Sequence, residues 1–72
     1  MPYEVVIWSM SDAPAGKQED TEKRARQFEA EVALTLPRPW KDRGGRSIGT
    51  VTGVRTLVLS GGTVSVLVTV DL

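Results

Sequence analysis

The chain has 72 residues, 40% of them hydrophobic, with nine basic side chains balanced by nine acidic ones and neither His nor Cys. A chain this short buries only about 60% of the surface its unfolded form exposes, so it makes at most one domain with a thin core, and association is expected. The missing residue types exclude disulfides, thiolate nucleophiles, zinc knuckles and imidazole-based catalysis or metal binding, and no cofactor or metal is expected.

The N-terminal run MPYEVVIW has no cationic segment followed by a long apolar stretch, and no window approaches the ~20 apolar residues of a membrane span. The expectation is a chain with no membrane partner, cytoplasmic or virion-associated.

Tyr3 to Met10 is rich in β-branched and aromatic residues, with Val5 and Ile7 on one parity and Val6, Trp8 and Met10 on the other. This predicts a strand apolar on both faces. Ser11, Asp12, Pro14 and Gly16 then mark a turn. From Lys17 to Leu36 the period becomes helical, because Thr21, Ala25, Phe28, Val32 and Leu36 fall on one stripe. Glu19 stands four residues before Lys23, Asp20 before Arg24 and Glu22 before Arg26, the favourable order for pairs on a solvated helix face. Pro37 stops the helix, and residues 37–49 read as a basic, Pro- and Gly-rich loop.

Thr50 to Leu59 and Thr63 to Leu72 are β-prone runs flanking Gly61 and Gly62. A two-residue turn there pairs Leu59 with Val64, Leu57 with Val66, Arg55 with Val68, Gly53 with Val70 and Val51 with Leu72 on the core face. Arg55 breaks that pattern, and either a bulge near Gly53 or a side chain reaching the sheet edge accommodates it. The opposite face is mixed, and with Val6, Trp8 and Met10 it leaves an apolar patch for a partner.

The expected fold is therefore α+β in the order β-α-β-β: one amphipathic helix packed on a three-stranded mixed sheet ending in a β-hairpin. A right-handed crossover makes the first two strands parallel. The last strand sits in the middle, because Val64, Val66, Val68, Val70 and Leu67 are apolar on both parities. Phe28, Val32, Leu57, Leu59, Val64, Val66 and Val68 form the expected core.

The segment 38–46 sets Arg38, Lys41, Arg43 and Arg46 against Asp42, with Trp40 for stacking and Gly44 and Gly45 for close backbone approach. This composition suits a phosphate or nucleic-acid contact, whereas the neutral chain, with sequence pI near 6.2, argues against a dedicated nucleic-acid binder. Trp40 suits a protein anchor better than a base platform. Trp40, Arg38, Lys41, Arg43, Arg46 and Trp8 are the candidate partner-binding residues.

No carboxylate pair, nucleophile or phosphate-cradling glycine loop stands out, so the chain reads as a non-catalytic protein-interaction module. It either self-associates or serves as a small subunit or inhibitor in a larger assembly, as suits a bacteriophage or mobile-element accessory protein. Pro2 is the exception: with Met1 removed it is a secondary amine at the start of a strand, able to act as a base or nucleophile. In that feature, and in a strand followed by a helix and a strand, the chain resembles the tautomerase superfamily, which implies an enol-keto chemistry carried by Pro2. The long final hairpin departs from that pattern, and no cationic counterpart appears in the segment Ser9 to Gly16.

Overall fold

The computed structural model describes residues 2–10, 18–59 and 62–72. The elements are β1 (Pro2–Met10), α1 (Gln18–Ala33), β2 (Arg38–Lys41), β3 (Ser47–Val58) and β4 (Val64–Asp71). They form an α+β fold of one helix and a four-stranded sheet in the order β1-β4-β3-β2, every neighbouring pair antiparallel. The expected turn at Ser11–Gly16, the helix start at Lys17 and Gly61 lie outside the described residues.

Two features of the expected sheet are corrected. The fourth strand is β2, within the stretch read as a loop. Pro39 lies on the outermost strand, where a missing N–H need not cost a ladder bond. The sheet is also not mixed: β1 and β3 run in the same direction, but β4 separates them. The last strand does occupy the interior, with its alternate valines Val64, Val66, Val68 and Val70 all buried. Burying one such side chain contributes about 1.5–3 kcal/mol, so this strand is the centre of the core.

The helical stripe is as its periodicity requires. Thr21 and Ala25 are buried, and Phe28, Val32 and Leu36 are half-buried. Of the three expected charge pairs, Glu22–Arg26 closes, at 3.0 Å, among the described residues. The regular helix ends at Ala33 rather than Leu36. Beyond it the bonds tighten, Thr35 N–H donating to the Val32 carbonyl at 2.9 Å and Leu36 N–H to that of Ala33 at 3.3 Å. The Thr35 hydroxyl donates to the same Val32 carbonyl at 2.7 Å, which competes with continuation of the helix.

The β3–β4 register is one residue from the expected one. Val58 pairs with Val64, Thr56 with Val66 and Val54 with Val68. The connection closes with Leu59 N–H donating to the Thr63 carbonyl at 2.9 Å, which leaves three residues, 60–62, between the bonded pair in place of two. A one-residue slip reverses the faces of a strand. Leu57 consequently lies opposite Ser65 on the side away from the helix, and Leu59 is exposed, so neither belongs to the core. Val54 and Thr56 take their places. A bulge between Val51 and Gly53 then returns Val51 to the core side opposite Val70.

A second bulge has the same effect on β1. Between Val6 and Trp8 the pairing skips Ile7, so Val6 opposes Leu67 whereas Trp8 opposes Val66 and Met10 opposes Val64. Trp8 and Met10 therefore turn to the helix side, and only Val6 of the expected apolar trio stays on the open face. Trp8 packs against Ala25, Val64 and Val66. On the open face Arg55 reaches across β4 to Glu4, with Nε and Nη2 at 2.6 and 2.9 Å from the two carboxylate oxygens.

Candidate functional site

Three surfaces carry the chemically interesting residues: the β2–β3 hairpin, the groove beneath it and the outer edge of β1. The hairpin turn is built around Asp42. Its N–H donates to the Arg46 carbonyl at 2.9 Å, its carbonyl accepts from Gly45 N–H at 3.1 Å, and its Oδ1 accepts from Gly44 and Arg46 N–H, both at 2.9 Å. Gly45 has φ of 81°, a conformation that glycine adopts without a Cβ penalty. The acidic residue in this basic stretch is thus committed to holding the turn, and the cations remain available to solvent. Because β4 ends opposite Thr50, the turn and the Lys41–Ser47 pair reach past the end of that strand.

Arg38, Lys41, Arg43 and Arg46 are all exposed. None of their side chains is in an ion pair or hydrogen bond among the described residues. Trp40 behaves differently. It is half-buried against Val51, Val68 and Val70, as a wall of the core rather than a projecting anchor. Opposite Trp40 the chain needs Gly49, because a Cβ there would lie 2.8 Å from the Asp71 carbonyl oxygen. The structure brings Arg38, Trp40 and Lys41 together on one strand and sets Arg43 and Arg46 on the adjoining turn. Trp8 lies on the opposite edge strand, against the helix, apart from this set.

The groove was not legible in the sequence. α1 packs on the inner strands β3 and β4, which leaves helix-side residues of the two edge strands partly uncovered. A partly open space of about 500 Å³ results, lined by Ile7, Phe28, Val32, Trp40, Val51 and Val68. Arg38 and Lys41 stand at its β2 end.

The sheet has three unpaired stretches of edge that differ in protection. The outer side of β2 is four residues long and carries Pro39 between Arg38 and the Trp40–Lys41 pair. Beyond Val51, β3 has no neighbour on its β2 side, and there Thr56 N–H donates to Glu29 Oε1 of α1 at 2.9 Å. β1 has β4 on one side and no strand on the other. Tyr3, Val6, Ile7 and Met10 along it are all at least 36% exposed. No Lys or Arg interrupts the strand.

Pro2 is exposed and paired with Asp71, beside a shallow depression formed with Tyr3, Glu4 and Thr69. Arg55, on that face, is held by Glu4. Among the described residues no cluster of three or more Asp or Glu is placed to hold a metal ion, and no helix is long and apolar enough to cross a membrane. No family model matches the chain, and no curated protein or solved structure is significantly similar to it.

Proposed function

We propose that this chain is a small non-catalytic protein-interaction module that associates with a second copy of itself through the outer edge of β1. The observation that carries the reading is the contrast between β1 and the other free edges. A row of unpaired backbone N–H and C=O groups is a template for another strand, and proteins blunt it with charges, prolines, bulges or a covering element. The free part of β3 has Glu29 bonded to it, and the outer side of β2 is four residues long with Pro39, Arg38 and Lys41 along it. The nine residues of β1 have one bulge, one terminal proline, one charge, Glu4, which is turned across the sheet to Arg55, and four exposed apolar side chains.

Antiparallel pairing of two β1 strands about a two-fold axis joins two sheets into one of eight strands, with both helices on the same face. It leaves the basic hairpins at the far edges of the dimer, because β2 is the strand furthest from β1. Val6, at the middle of β1, falls close to the axis. Light scattering across a dilution series tests this. The expected result is a dimer that dissociates on dilution, and Val6→Lys, which places two cations near the axis, should weaken it about tenfold or more. Val6 is 53% exposed, so the substitution spares the monomer fold. A strict monomer at millimolar concentration, or a dimer indifferent to Val6→Lys, would overturn the reading.

A further inference from the structure

We infer that the groove between α1 and β2 is a binding site for a small amphipathic carboxylate, with its hydrocarbon body under the helix and its anionic head at β2. Four observations converge on that chemistry. The space, about 500 Å³, lies in the range of small-molecule sites. Its walls are Phe28, Val32 and the Trp40 ring, half-exposed apolar groups that hydrocarbon covers better than water, over a floor of Val51 and Val68 that is already buried. Phe28, Val32 and Trp40 are each only half-buried although all three pack on the core, so the core is incompletely closed at this place. Finally, charge is confined to one end, where Arg38 and Lys41 have no counter-ion among the described residues.

The polarity of the groove fixes the orientation of the ligand. Ile7 belongs to β1 and Trp40 to β2, so the lining spans three strand spacings, about 14 Å. A medium-length alkyl chain running from the cations toward Ile7 fits this span. Each buried methylene adds about 0.8 kcal/mol, whereas the exposed cations add a modest, salt-sensitive term. Affinity is thus set by chain burial, and the preference for an acid over an alcohol by Arg38 and Lys41. The cationic end of the site is on β2, the strand furthest from β1, and Ile7 is the lining residue shared with the proposed dimer edge.

Octanoate, 1-octanol and the double variant Arg38→Ala/Lys41→Ala decide it, read by methyl chemical shifts of the full chain. Both substituted residues are exposed, so the fold is retained. Octanoate should give saturable shifts at Ile7, Val32, Val51 and Val68, with 1-octanol binding about fivefold more weakly. The double variant should bind octanoate no better than the alcohol, and added salt should narrow the difference in the unmodified protein. Equal affinity for acid and alcohol in the unmodified protein would overturn the proposal. So would an acid preference that survives the double substitution, shifts confined to the open-face Val6 and Leu67, or no saturable shift at millimolar octanoate.

Discussion

The two faces of β4 come from one eight-residue strand and have different fates. Its even-numbered residues, Val64, Val66, Val68 and Val70, are at most 2% exposed, whereas on the other face the small Ser65 is buried, Leu67 and Thr69 are half-buried and Asp71 is exposed. Both faces contain apolar side chains, so the strand alone does not choose between them. The choice is made by the stripe of α1, centred on Ala25 and Phe28, and by the two bulges that swing Trp8 and Val51 toward it. A helix-covered face gains from every methyl group, and an open face gains only where neighbouring side chains shield one another.

The largest test of that contrast compares adjacent residues. Val66→Ala should cost about 2–3 kcal/mol in a denaturant titration, the sum of lost transfer energy and a cavity beside Ala25. Leu67→Ala, although it removes more carbon, should cost less than about 1 kcal/mol. Equal costs would mean that something covers the open face in solution. A smaller effect of opposite sign is expected at Thr56, whose hydroxyl is buried without a hydrogen-bond partner. Thr56→Val removes that unsatisfied group while keeping the shape, and should raise stability by about 1 kcal/mol, seen as an upward shift of the unfolding midpoint. The smallest effect belongs to Glu4 and Arg55 on the open face. Their side chains are 38% and 56% exposed, and a double-mutant cycle should return a coupling of about 0.5 kcal/mol that fades with salt.

Periodicity made the helix legible, since the stripe from Thr21 to Leu36 admits one buried face, and it placed β4 inside the sheet through apolar residues on both parities. β2 escaped notice because Pro37, Pro39, Gly44 and Gly45 are loop-forming residues in composition, while an outer strand tolerates proline and a hairpin turn requires glycine. The register of β3 depended on one uncertain quantity, the number of turn residues, and a difference of one exchanged Leu57 for Thr56. Bulges leave almost no mark in a strand of uniform β-formers, so the inward turn of Trp8 was hidden. Of the site, the basic residues and Trp40 could be read directly. The groove could not, because it arises from where the helix stops covering the sheet.

The pairing of Pro2 with Asp71 has a mechanical consequence. A load applied between these two residues does not shear the β1–β4 ladder, in which case its hydrogen bonds would resist together. It opens the ladder from one end, and each pair in turn, Tyr3 with Val70, then Glu4 with Thr69, bears the force alone. Such a zipper yields to a small pull, and the Glu4–Arg55 bridge is its early catch. β1 is therefore the strand that peels away first under tension, while β3, tied to the strands on both sides, keeps the remainder of the sheet in place.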